Sequence, residues 1–253
     1  MKILFVGDTH GNLTHTRNVF AHACRMEADR IVQVGDFGYG WDRQQFAGTD
    51  GRIECRFTRK VSEVAQKTGI PLYWLPGNHE NYDFLEETLD TLEAKPDGTY
   101  ELAPMVFYIP RGALLEIDGK RLLFCGGAVS IDKKRRTPGK SWWPQELITP
   151  EDVAKCAVAG QVDVLITHDF PWECEVVDRH LAPYWGAEAQ DNTIKNRKNI
   201  SRILETCGAK LNIHGHLHVS YTELIHVGGN EIKVVGLDCD GNPMYDSTVL
   251  LNV

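Results

Sequence analysis

No stretch of the sequence approaches the roughly 20 consecutive apolar residues that span a bilayer, and no two cysteines have C-x-x-C spacing. Positive charge is in deficit: 27 Lys and Arg face 35 Asp and Glu, for a formal net charge of −8. Overall charge therefore gives no support for broad nucleic-acid or membrane binding, although a local basic groove is not excluded by it. Repeats, low-complexity tracts and an interdomain linker are also missing, so residues 1–253 read as one large domain with a well-buried core. The seven cysteines are scattered and odd in number, which fits small buried residues in a reducing compartment rather than a disulfide framework. The apolar start Ile3–Val6 stops before Asp8, too short for a signal peptide. The expectation is a cytoplasmic protein.

What the sequence does have is one pattern used five times. An apolar run ends at a Gly or Thr, and a carboxylate, imidazole or carboxamide follows at once. Pro71–Leu75 leads through Pro76 and Gly77 to Asn78, His79 and Glu80; Ile3–Val6 leads to Asp8 and His10. Ile31–Val34 leads to Asp36, Val162–Ile166 to His168, and Leu211–Ile213 to His216 and His218. Such runs are strands delivering polar groups to a sheet rim, and open α/β sheets hold their ligands at strand carboxyl ends.

Between these runs, helices are expected over Leu13–Met26, Cys55–Lys67, Tyr82–Leu92, from the Thr149 cap to Val158, and over Ile194–Thr206. Early βα units imply a mainly parallel sheet, while Ala113–Ile117 and Lys120–Cys125 form a hairpin across Asp118–Gly119. Two packed mixed sheets with helices outside satisfy both patterns. Loop insertions fall near residues 130–146, which are basic and then aromatic, and near residues 169–193, which have no clear period.

Two metals about 3.5–4 Å apart need donors from several elements and one bridging carboxylate. Asp8 and His10, two residues apart, can turn into one pocket, as can His216 and His218; Asp36 is a lone carboxylate suited to the bridge. Asn78 adds a neutral oxygen and His168 a further imidazole. Mixed nitrogen and oxygen donors fit two divalent transition metals, Mn, Fe or Zn, better than Mg or Ca.

Asp8-Thr9-His10-Gly11, Gly35-Asp36, Gly77-Asn78-His79-Glu80, Thr167-His168 and Gly215-His216-Leu217-His218 resemble, in order, the five motifs of the calcineurin-like metallophosphoesterases. The resemblance implies a four-layer α/β/β/α sandwich with two metals at its rim. It assigns Asp8, His10, Asp36 and His218 to one metal, and Asp36, Asn78, His168 and His216 to the other. It also implies in-line attack by a metal-bridging hydroxide, with His79 as the general acid. The protein-phosphatase branch has an Asp where this chain has Tyr39, which leaves the partner of His79 open, with Asp42 as a guess. Gly35-Asp36-Phe37 and His168-Asp169-Phe170-Pro171 resemble the lariat-debranching phosphodiesterases, which have Cys at the position of Asp8.

The expected activity is hydrolysis of small phosphodiesters, with cyclic nucleotides of the 2′,3′-cAMP type leading. Alternatives are a nuclease or debranching-type enzyme, a phosphomonoesterase or dinucleoside polyphosphatase, and a non-catalytic scaffold on the same fold. A short basic strip and acidic overall charge argue against long nucleic acid, and a membrane partner is not expected. Arg43 and His180 are candidate substrate contacts, with Tyr184 and Trp185 beside the latter. Lys133–Arg136 with Trp142 and Trp143 reads either as a phosphate and base platform or as a solvated loop over a packed Trp. His214 and Glu80 read as supporting residues, and His15, His22 and His226 as ordinary core or surface histidines.

Overall fold

A computed structural model describes residues 1–41, 45–47, 53–176 and 187–253. The first sheet has the order β14 (Thr248–Asn252), β1 (Lys2–Val6), β2 (Arg30–Gln33), β5 (Leu72–Trp74), β7 (Val106–Tyr108), β6 (Tyr100–Ala103). The second runs β12 (Tyr221–Val227), β13 (Asn230–Gly236), β11 (Leu211–His214), β10 (Val164–Thr167), β9 (Lys120–Cys125), β8 (Leu114–Ile117). A short hairpin pairs β3 (Gln45–Ala47) with β4 (Ile53–Cys55). The helices are α1 (Leu13–Met26), α2 (Arg56–Thr68), α3 (Tyr82–Leu89), α4 (Pro150–Ala157), α5 (Ala187–Cys207) and the single turn α6 (Met244–Ser247).

Strand alternation explains the layering. Along β1, Ile3 and Phe5 join the core between the sheets, while Leu4 and Val6 join the core beneath α1 and α2. The inter-sheet core draws Val32, Val34 and Leu75 from one side and Phe124, Ile166 and Ile213 from the other. Leu123 and Leu165, on the far face of the second sheet, pack with Ile200, Ile203 and Leu204 of α5. The result is the expected α/β/β/α sandwich of two mixed sheets. Both sheets are parallel at the centre and antiparallel at the edges.

Helix starts follow the capping chemistry. Asn12 accepts from the His15 N–H at 3.1 Å, and Thr149 with Asp152 closes a capping box at the head of α4. Several elements depart from the sequence reading. β3, β4, β6 and α6 are not among the expected elements, α3 ends at Leu89 rather than Leu92, and α5 begins at Ala187 rather than Ile194. The added turns, residues 187–193, read Ala-Glu-Ala-Gln-Asp-Asn-Thr and have no large apolar residue to set a hydrophobic period. All seven cysteines are free thiols. No helix among the described residues is long and apolar enough to cross a membrane.

Phe124 is fully buried where the two sheets meet. Phe124→Ala is expected to lower unfolding free energy by about 3–5 kcal/mol, measured by urea denaturation. A loss below about 1 kcal/mol would contradict close packing between the sheets.

Candidate metal centre

Five parallel strand ends meet on one rim. β1 is followed by Asp8 and His10, β2 by Asp36, and β5 by Asn78 and His79. From the second sheet, β10 is followed by His168 and β11 by His216 and His218. The seven residues expected as ligands lie together here. Asp8, His10 and His218 bring donor atoms within 4.8 Å of one another, and so do Asp36, His168 and His216. Asn78 joins the second group through Oδ1, 3.3 Å from His168 Nε2.

Asp36 links the groups. Its carboxylate lies 3.6 Å from His10 Nε2 through one oxygen and 3.4 Å from His168 Nε2 through the other. Asp8 Oδ2 lies 3.0 Å from His218 Nε2, and its Oδ1 accepts from the His216 N–H. Both carboxylates are essentially buried. Burial alone would raise their pKa, but the surrounding imidazoles hold both below the usual carboxylate range, Asp36 well below it. Reciprocally, burial opposes charge on the histidines, yet Asp36 and Asp8 lift His10 to about 9 and His168 to about 10. His216, buried and close to His168, falls to about 3.

The local backbone is bent to make this convergence. His10, Asp36, His216 and His218 have φ values of 44°, 54°, 69° and 54°, in the left-handed region that non-glycine residues avoid. Close approach also dictates glycine. A Cβ on Gly77 would meet Asp36 Oδ1 and His168 Nε2, and one on Gly215 would meet Asp8 Oδ1.

Outer contacts aim the rings. His168 Nδ1 donates to the Val34 carbonyl at 2.9 Å, which turns Nε2 towards the centre. His10 Nδ1 pairs with Asp240 Oδ1 at 2.7 Å, and Asp240 is held in turn by Asn12 Nδ2 at 2.8 Å. Asn78 Nδ2 donates to Ser130 Oγ, and the Ser130 hydroxyl and N–H both donate to Glu146. That chain points Asn78 Oδ1 at His168. Glu80 accepts from the N–H groups of Gly38 and Gly77, tying two of the loops together. Borderline nitrogen donors, hard oxygen donors and a shared carboxylate fit two divalent ions.

Several expectations are refined. The ring partner of His79 is Arg136, whose Nη2 lies 2.7 Å from Nε2, so the imidazole accepts there. Asp42, Arg43, His180, Tyr184 and Trp185 lie outside the described residues. Of the two readings of residues 133–143, the packed one is favoured at the tryptophans: Trp143 is buried, and Lys133 Nζ lies over the Trp142 ring at 4.2 Å. Tyr39 is core, stacked between Trp74 and Phe84. His214 is a buried support, its Nδ1 donating to the Gly215 carbonyl and its Nε2 facing the Tyr221 hydroxyl. Sequence reasoning did not single out Asp240, Ser130, Glu146 or a contact between Arg136 and His79. Asp240 had a signal, since Val234-Val235-Gly236-Leu237-Asp238-Cys239-Asp240 repeats the strand-then-carboxylate pattern, with Asp240 two residues after the first carboxylate.

The sequence profile of the calcineurin-like phosphoesterases matches residues 1–220. The chain belongs to that family. Calcineurin-like phosphoesterases use a dinuclear metal centre, and membership implies a metal-dependent phosphoester hydrolase. No curated protein matches this family member closely by sequence. Among solved structures it is similar to TT1561 of Thermus thermophilus, with 13% identity, a TM-score of 0.55, and 94% and 89% of the two chains covered. It is also similar to a dimetal phosphatase from Danio rerio, with 13% identity, a TM-score of 0.55, and 99% and 91% covered. At such identity these likenesses establish the fold of this calcineurin-like phosphoesterase and nothing finer.

Glu146, which anchors Ser130, is raised to about 7, chiefly by burial. Between about 4.5 and 7 the folded state binds the proton that the unfolded chain releases, so this group's stabilisation falls as pH rises. Wild type should therefore lose about 2–3 kcal/mol relative to Glu146→Gln between pH 4.5 and pH 8, read from urea midpoints. Parallel profiles for the two proteins would exclude a buried carboxyl of raised pKa.

Proposed function

We propose that the chain is a dinuclear metal-dependent phosphodiesterase acting as one catalytic domain on small phosphodiesters, cyclic nucleotides of the 2′,3′-cAMP type being the leading class. The observation that carries this reading is the Asp36 carboxylate, within 3.6 Å of an imidazole in each donor group. In this reading Asp8, His10, Asp36 and His218 hold one ion, and Asp36, Asn78, His168 and His216 the other. Mn²⁺ suits this mixed donor set. When bound, two such ions supply a nucleophilic water near neutral pH and offset charge on the phosphoryl oxygens.

The chain's own residues supply the rest. The Asp36 Oδ1 contact with the His79 N–H, at 2.8 Å, fixes the loop that carries the proposed acid. His79 would protonate the leaving oxygen, for which the Arg136 guanidinium must first turn from Nε2 towards the substrate's phosphoryl oxygens and Nε2 must take up a proton from water. The buried Tyr39, at the position where the protein-phosphatase branch has Asp, supports a small diester over a phosphoprotein. The debranching-like flank carries less weight: Asp169 is held by Asn196 at 2.6 Å and Phe170 packs in the core beneath α5. Lys133 is laid over Trp142, and Arg136 is paired with Asp132 at 2.6 Å, a poor start for tracking a long polyanion. Seven free thiols support a reducing compartment such as the cytoplasm.

Metal-stripped protein reloaded with Mn²⁺ is expected to hydrolyse bis-p-nitrophenyl phosphate and 2′,3′-cAMP faster than p-nitrophenyl phosphate. Asp36→Ala should leave below about 1% of that turnover. Monoester hydrolysis alone would turn the reading into a phosphatase, and inactivity with Mn, Fe and Zn alike would favour the scaffold. His79→Ala should retain both metals by elemental analysis while losing about 10²-fold or more in kcat on alkyl leaving groups and much less on nitrophenyl ones. Equal losses on both would remove His79 from the acid role.

A further inference from the structure

A cavity of about 370 Å³ opens beside His79, and its walls include Trp41, Asp132, Arg136, Lys140, Ser141 and Trp143. We propose that this cavity is a nucleoside pocket, which holds the base and ribose of a nucleotide whose phosphate lies at the candidate metal centre. The inference rests on the phosphodiesterase reading only for what occupies the metal centre; the pocket itself stands on four observations.

The first is position. The His79, His10 and Trp41 rings form a triangle, with centroids 5.6 Å apart for His79 and His10, 5.4 Å for His79 and Trp41, and 5.7 Å for His10 and Trp41. A phosphoester over the donor groups therefore has Trp41 and the mouth of this space directly beside it.

The second is the character of the aromatic wall. Trp41 is 42% exposed, far more than the buried Trp143, yet its Nε1 donates to the His79 carbonyl. An indole fixed at its polar edge with much of its surface open is a stacking surface for a planar base, whose ordering entropy is already largely spent. Trp172 is also partly exposed, but Arg197 and Lys198 sit over its ring.

The third is charge. Arg136 is nearly buried, with 9% of its side chain exposed, and is steered by Asp132 towards the His79 end of the cavity. A guanidinium held at the mouth meets the phosphate, while Asp132 and Ser141 offer acceptor and hydroxyl groups along the outer wall for ribose and base.

The fourth is size. The volume falls near the lower end of the range for small-ligand pockets, which suits one nucleoside. The 3₁₀ turns Lys133–Arg135 and Pro144–Glu146 bound the loop that closes it, and buried Trp143 seals its base. A polymer would need a groove continuing past those turns.

The test uses the full chain loaded with Mn²⁺ and calorimetric titration with adenosine 5′-monophosphate and, separately, inorganic phosphate. Wild type should bind the nucleotide at least about tenfold more tightly than phosphate, and Trp41→Leu should remove about tenfold of nucleotide affinity with little change for phosphate. Because Trp41 also contacts His79, Ser141→Trp serves as a second variant; it fills the cavity from its outer wall and should have the same selective effect. Equal affinity for nucleotide and phosphate in wild type would overturn the proposal, and so would variants that weaken both ligands by one factor. Turnover of bis-p-nitrophenyl phosphate, run alongside, separates the two readings. Selective nucleotide binding without turnover upholds the pocket and removes the phosphodiesterase, whereas turnover without nucleotide selectivity removes the pocket alone.

Discussion

Asp8 and Asp36 are two carboxylates buried within one cluster, and burying like charges away from water is costly unless each is compensated. Compensation here comes almost entirely from imidazoles and from two backbone N–H groups, those of His79 and His216. No single element could bring enough of them. Five strands from two sheets must stop at one level, and their loops must turn inward within four residues. The sandwich is the scaffold that makes this convergence feasible, with the inter-sheet core of Phe5, Phe124 and Ile166 fixing the height at which the strand ends meet. Two divalent cations would complete what the imidazoles begin, by supplying positive charge without needing protons.

Much of the centre was legible because strand ends leave a strong local signature. An apolar run that breaks at glycine or threonine and continues with Asp, Asn or His marks a strand reaching a sheet rim, and β1, β2, β5, β10 and β11 all carry it. The layers were legible for a related reason, since Ile3-Leu4-Phe5-Val6 is apolar on both faces and must be covered on both. What escaped was whatever depends on contacts distant in sequence. Arg136 lies 57 residues from His79 and Asp240 lies 230 from His10, and neither pairing has a local pattern. β6 escaped because Tyr100–Ala103 is short and lies on an edge. The start of α5 escaped because residues 187–193 have no large apolar residue to set a helical period.

The same contrast separates motif from flank. Asp169 and Phe170, adjacent to His168, look in sequence like an extension of the site, yet they serve the core between the second sheet and α5. Trp41, outside every motif, stands against His10 and His79. Family resemblance identifies the reacting centre; the loops around it, which choose the substrate, obey no motif and have to be read from contacts.

The left-handed backbone at His10, Asp36, His216 and His218 has a consequence for how this centre could be lost. At each of these positions glycine would relax the main chain, and at Asp36 it would also remove a buried charge. Drift away from catalysis is therefore downhill for folding at several separate points, as expected where activity and stability compete for the same residues. A descendant of this chain freed from selection for hydrolysis would keep its sandwich, and would shed its donors first where the backbone is most bent.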